Sequence, residues 1–394
     1  MRYRVSVLAT LLCVPCALVA SVQLSAQAAN REAFVTTLGR DTTSVEQFSR
    51  SGNTITGDYV SRQGGTVVYH YVLTLRKDGM PAQMDVTPRK PDGSTPSKLP
   101  RSIGVTYSSD TAVFTTVMGD SVAKRRLAAK DAFPVLGNSM GMYDVALAHL
   151  RASRVDSGPV QTLYLTGTQV PQPLQVKFFG RDSARVWNFG FAQYLHVTPD
   201  GRVLGLSGRA TTIKVETRRV ASLEIGRLAR EFAAEDAAGK GLSAVASVRD
   251  TVNATIGNAH IWLDYSRPLA RGRAVFRNGV LGDTLWRTGA NAATQFKTDV
   301  DLVIDGKTIP AGMYTLWTSV PSNNGSYELV FNKQVGQWGT VHDSGKDLVR
   351  VPLTVTSLSA PVDEFTIAFD PSANGGSINL RWASTQLSTQ FAAK

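Results

Sequence analysis

The sequence predicts a mainly β protein: an N-terminal antiparallel β meander or half-barrel with one or two helices, then a C-terminal antiparallel β-sandwich. Three observations predict it. Short runs rich in β-branched and aromatic residues recur along most of the chain, turns containing Gly, Asp, Asn or Pro punctuate them, and only two segments carry helical periodicity.

Residues 1–28 stand apart. Arg2 and Arg4 precede an apolar stretch from Val5 to Leu24, broken by Pro15, and Ala26-Gln27-Ala28 has the small-x-small pattern of a signal-peptidase site. The segment reads as a cleaved secretory signal and predicts a periplasmic or extracellular protein. An uncleaved anchor is the competing reading, because the apolar run is about long enough to span a bilayer; the polar Ala29-Asn30-Arg31-Glu32 favours cleavage. No second stretch is as long, so no integral membrane segment is expected after cleavage. Cys13 and Cys16 would leave with the signal, and the mature chain would then rely on apolar burial rather than disulfides.

Without Arg2 and Arg4 the chain has 40 basic and 31 acidic residues, a formal charge near +9. A basic protein outside the cytoplasm meets anionic lipid, acidic glycan and envelope polymer first; spread over the surface, the same excess aids solubility alone. No run of five like charges and no arginine–aromatic interleaving along the chain suggests nucleic acid.

Residues 29–220 are expected to form an N-terminal β-rich domain. Tyr69 to Leu75 and Val105 to Val117 carry strand residues, with turns at Gly52-Asn53, Lys77-Asp78-Gly79 and Pro199-Asp200-Gly201. One helix is expected from Ser139 to Ala152, where Met142, Val145, Ala146, His149 and Leu150 share a face. A sheet curled around that helix would make a half-open barrel able to carry an apolar ligand; an ordinary packed core fits the same pattern. Residues 221–246 read as a linker containing a helix from Leu223 to Ala238, stopped by Gly239-Lys240-Gly241. Its stripe of Leu223, Gly226, Ala229 and Phe232 is expected to dock onto a neighbouring sheet.

Residues 247–394 read as the sandwich. Nine short runs follow one another: Thr251 to Ile256, His260 to Tyr265, Ala293 to Lys297, Asp301 to Ile304, Met313 to Val320, Tyr327 to Asn332, Leu348 to Val355, Glu364 to Phe369 and Ser377 to Trp382. Asp305-Gly306-Lys307 is a tight-hairpin signal, since Gly tolerates the positive φ such turns demand. Five of the six tryptophans lie in this half.

The blocks Tyr265-Ser266-Arg267-Pro268, Arg271-Gly272-Arg273, Trp286 to Asn291, Ile309 to Tyr314, Phe331-Asn332-Lys333 and Gln337-Trp338-Gly339 occur in this order. Over about residues 248 to 370 the chain resembles the bacterial family known as domain of unknown function 2911. The resemblance implies a secreted β-rich domain from a Gram-negative bacterium and brings no established activity.

Arg267, Arg271, Arg273 and Arg287 fall in Gly- and Pro-rich sequence, where loops run and binding residues gather. A guanidinium cluster suits carboxylate, phosphate or sulfate, because its planar fork gives two parallel charge-assisted hydrogen bonds. Trp286 and Trp338 would add flat faces for a sugar ring, and Asn291 a polar contact. The competing reading pairs Arg287 with Asp264 or Asp283, plugs the core with Trp286 and ties down a loop with Asn291.

Signals for catalysis are weaker. His342 with Asp343 or Asp347 is a candidate base–carboxylate pair, although adjacent residues of an extended chain point to opposite faces. Ser266 with His260 or His342 lacks a G-x-S-x-G elbow or S-x-x-K pattern. The five histidines are scattered, so zinc is not expected. Asp299, Asp301 and Asp305 resemble a calcium loop, but the hairpin reading takes precedence. No nucleotide fingerprint is present, and no cofactor is expected. The preferred expectation is a non-enzymatic envelope protein, structural or binding an anionic glycan, lipid or envelope polymer; the alternative is an envelope hydrolase using His342.

Overall fold

A computed structural model describes residues 31–166, 169–188, 191–209, 214–243, 245–276, 279, 281, 284–321 and 325–394. The expected secretory signal lies outside them. As expected, the fold is mainly β, built from a large N-terminal meander sheet and a separate C-terminal sheet. No helix among the described residues is long and apolar enough to cross a membrane.

Among the described residues the first sheet has fifteen strands. Arg31–Leu38 lies in mid-sheet, between Asp41–Ser51 and Glu216–Val220. Hairpins lead outward from Asp41–Ser51 to the edge strand Ser121–Ala128. The other side ends at Ala132–Val135, which pairs in parallel with Ser157–Tyr164. The two ends of the segment 31–220 therefore meet at the sheet's centre.

Period-two alternation gives the sheet one apolar face, and that face packs around helix α1 (Met140–Ala152). Met142, Val145, Ala146 and Leu150 are buried as their spacing predicts, among Phe34, Phe48, Tyr71, Leu73 and Phe114. The apolar void between α1 and the strands holds about 10 Å³, room for no more than one water, so an apolar guest would have to displace side chains.

The helix starts on a buried carboxylate. Glu46 Oε2 accepts from the backbone N–H of Met140 at 2.6 Å and of Gly141 at 3.3 Å, while Ser139 Oγ and Tyr71 Oη donate to Oε1. Ser139 makes no side-chain cap of its own, so Glu46 from the facing strand satisfies the orphan donors of the first turn.

Helix α2 (Ile225–Ala237) covers part of the sheet's other face. Ala229 and Phe232 pack on Val45, Val60 and Val68, whose neighbours in sequence face α1. Gly226, expected in the stripe, is exposed. Arg62 lies over the Phe232 ring at 4.1 Å and pairs with Glu235, fastening the docked helix.

In the second sheet, the runs expected at Leu348 to Val355 and Glu364 to Phe369 are one strand, Asp347–Ser372. Its first part pairs with Tyr327–Asn332; further along it pairs with Gly375–Ala393, with register shifts between residues 357 and 366. The bend brings Glu364 to a bridge with Leu269 and folds the sheet back over one core. Asp305 and Gly306 join Leu302–Ile304 to Lys307–Ile309 with φ of 51° and 73°, the left-handed pair of a tight hairpin. Asp299 and Asp301 instead accept backbone N–H bonds from His260 and Ala311.

The halves touch through a short polar seam. Arg271 ion-pairs with Asp41, its carbonyl accepts from Arg40 N at 2.9 Å, and the Arg40 guanidinium reaches Asp363 at 3.3 Å. Gly39 makes the approach possible: at φ +61° a Cβ there would stand 2.5 Å from the Arg271 carbonyl oxygen.

Candidate functional site: a cationic cleft between the two sheets

Beside the seam a cleft of about 690 Å³ opens between the halves. The first sheet and its turns contribute Leu38, Thr43, Gln63, Asn138, Lys214 and Val215. The second half contributes Leu269, Arg271, Arg273, Trp286, Arg287, Asn291, Gly339 and Trp382, among others. Four cations line it, and none of the described lining residues is Asp or Glu.

Asp41 pairs with Arg271, and the contacts around the other three cations include backbone carbonyls. Arg273 donates through Nε to Ala270 O at 2.8 Å and through Nη2 to Leu269 O at 3.0 Å, and its Nη1 is buried with no partner among the described residues. Among the described residues Arg287 makes one long bond, from Nη1 to Gly339 O at 3.4 Å, and its buried Nε has no partner. Lys214 Nζ donates to Arg209 O at 2.7 Å. Burial and the charges of Arg273 and Arg287 push the Lys214 ammonium below its ordinary range. Burial lowers Arg273 and Arg287 too; at Arg273 the charge of Arg271 adds to the effect, and Asp363 and Asp41 oppose it. Like charges held together in a half-buried space whose described lining has no carboxylate favour an entering anion.

Backbone geometry marks the same place. Lys214, Arg271, Thr288 and Asn291 have φ of 59°, 54°, 51° and 60°, a left-handed region that costs a residue with a Cβ about 1–3 kcal/mol. Thr288 is the costliest, being β-branched. It is held by Thr318 Oγ1 at 2.8 Å and by Thr294 Oγ1, which donates to its carbonyl at 2.7 Å. Those contacts fix the turn that presents Arg287.

Of the residues expected to bind, Arg271, Arg273, Trp286, Arg287 and Asn291 line the cleft. Arg267 does not. Its guanidinium bonds Asp250 at 3.0 Å, Thr366 Oγ1 at 2.9 Å and the Phe365 carbonyl, with Glu364 at 3.1 Å, and so braces the bent strand. Trp338 is 54% exposed and outside the cleft, although Gly339 and Thr340 line it. Trp286 presents only an edge: it stacks on Trp382 at 5.4 Å within a cluster of Phe276 and Phe365, and its Nε1 donates to Gly289 O. Asn291 also ties a loop, its carbonyl accepting from Gly339 N at 2.9 Å. Asp264, one expected partner of Arg287, pairs with Arg249; Asp283 lies outside the described residues. Sequence reasoning missed Lys214, which nothing in its local sequence distinguishes.

His342 pairs with Asp347 rather than Asp343. Its Nε2 is 2.8 Å from Asp347 Oδ1, to which Asn332 Nδ2 also donates at 2.7 Å, and the ring packs on Trp317. Asp343 accepts from Gly345 N and caps a short 3₁₀ turn. Burial acts to raise the Asp347 carboxyl, but hydrogen bonds from Asn332, Arg350 and His342 outweigh it and hold the group below its ordinary range. The triad fastens the segment 333–346. Among the described residues, no group of three or more His, Cys, Asp or Glu is placed to hold a metal ion.

The protein is thus defined by two β sheets with a cationic cleft between them. Its C-terminal part, residues 247–391, matches the family described as protein of unknown function DUF2911. No curated protein matches the chain. Among solved structures, a DUF1089 family protein from Pseudomonas aeruginosa is similar over 42% of this chain and 90% of its own, at 12% identity and a TM-score of 0.32.

Proposed function

We propose that this is a non-enzymatic binding protein of the bacterial cell envelope that holds an anionic ligand in the cleft between its two sheets. One observation carries the reading: Lys214, Arg273 and Arg287 converge on a half-buried space whose described lining has no carboxylate. A carboxylate, phosphate or sulfate entering there would meet the guanidinium groups of Arg273 and Arg287, which line the cleft. The apolar wall of Leu38, Leu269, Leu285 and the Trp286 edge would cover a carbon skeleton or sugar ring. The envelope location rests on the signal-like residues 1–28.

Calorimetric titration with galacturonate, inorganic phosphate and sulfate tests the reading, using wild type, Arg273→Ala, Arg287→Ala and, as a surface control, Arg249→Ala. Binding of at least one anion by wild type and the control, weakened tenfold or more in both cleft variants, supports it. Equal affinities throughout would refute it. The alternative, a hydrolase using His342 with Asp347, predicts turnover of an envelope ester or glycoside that disappears in His342→Ala.

A further inference from the structure

We propose that the outer face of the first sheet carries a second and separate binding surface, for an acidic polysaccharide. Strands Pro171–Phe179, Ser183–Asn188 and Phe191–Val197 turn Leu174, Val176, Val186 and Leu195 toward α1 and the opposite set of side chains outward. That outward set includes Phe179, Trp187 and Tyr194, exposed by 40%, 46% and 47%. Three large rings left this open on neighbouring strands stand out on a face where polar residues are the rule.

Cations are interleaved with the rings. Arg185 lies directly opposite both Lys177 and Tyr194, and Trp187 opposite Gln175. Lys177 Nζ and Arg185 Cζ stand 5.4 and 5.9 Å from the centre of the Phe179 ring. A shallow groove of about 380 Å³ runs beside Trp187, floored by Gln175, Lys177 and Arg185. The three strands hold no Asp or Glu; Asp182 sits in the turn outside them.

The distribution of charge selects the ligand. Lys177 and Arg185 gather at the Phe179 ring, and the groove beside Trp187 holds the neutral Gln175 and Gly158 as well as these two cations. A nucleic acid has a phosphate at every unit and needs a cationic track along its whole length. A polymer with uncharged ring faces and intermittent carboxylates matches exposed rings set beside an amide and two cations. The rings also lie across a sheet face rather than at a projecting tip, which suits a chain lying along the surface better than insertion into a bilayer.

Affinity electrophoresis of the mature chain in gels containing polygalacturonate, with dextran gels as the neutral reference, tests the proposal. Wild type should be retarded by polygalacturonate and not by dextran. The double variant Trp187→Ala/Tyr194→Ala and the single variant Arg185→Ala should each lose at least tenfold in affinity, with unchanged thermal unfolding because these side chains are outside the core. Trp338→Ala, which removes an exposed tryptophan elsewhere, should be retarded as wild type is. An unretarded wild type, equal retardation of the double variant, or tighter binding to an oligothymidylate or to phosphatidylglycerol vesicles would overturn it.

Discussion

The side chain of Arg287 lies against the bare backbone of Gly339, so closely that a Cβ added at residue 339 would stand 1.8 Å from Arg287 Cδ and 2.5 Å from the Asn291 carbonyl oxygen. Gly339 thereby works as the seat of the arginine. Gly339→Ala should expel Arg287, abolish anion binding and cost about 1–3 kcal/mol of stability through overpacking. Titration calorimetry and urea unfolding of this variant beside Arg287→Ala check it; wild-type affinity in Gly339→Ala would mean that Arg287 is not seated by residue 339.

The Asp41–Arg271 pair is the buried part of the seam between the halves, Arg271 being only 4% exposed. Removing one partner leaves an uncompensated charge, so Asp41→Ala should cost about 3 kcal/mol. The loss should appear as separate unfolding of the two sheets in calorimetry and as faster proteolysis between residues 238 and 247.

Asp144 carries a pH dependence of its own. Burial raises its carboxyl to about 7; the Val203 N–H and Arg50 oppose the rise, and Glu46 and Asp200 reinforce it. A folded pKa above the unfolded one means that the folded state binds the proton more tightly. The associated stability is complete below the unfolded value near 3.8 and is lost as pH rises through about 7. Asp144→Asn, which keeps an acceptor for Val203 N, should remove a slope of up to about 1.4 kcal/mol per pH unit in that window. Unfolding of wild type and variant should coincide near pH 4 and diverge by pH 8 in the variant's favour.

Glu46 tests the account of α1. Glu46→Ala strips acceptors from Ser139, Tyr71 and two backbone N–H groups inside the core, and should cost about 3 kcal/mol or more. Glu46→Gln, which keeps one acceptor oxygen, should recover part of the loss in chemical denaturation.

Much of the fold was legible because strands and helices announce themselves through local periodicity. Both helices and the Asp305-Gly306 hairpin follow from neighbouring residues alone. The strand Asp347–Ser372 was read as two because its middle, around Ser357 to Pro361, is exposed and carries no alternating pattern. Arg271, Arg273 and Arg287 were visible as loop arginines, but Arg267 looked the same and is consumed by Asp250 and Glu364, partners 17 and 97 positions away. Lys214 reaches the cleft through sheet topology, and Phe179, Trp187 and Tyr194 come onto neighbouring strands of one face only through strand pairing. Those relationships belong to pairing between strands, which no local window contains.

The most direct measurement is the native mass of the protein purified gently from the cells that make it. A stoichiometric anionic adduct on wild type, absent from Arg287→Ala and Arg273→Ala, is the predicted result. A bare polypeptide mass for wild type, or an adduct that survives in both variants, would contradict an anion-binding cleft.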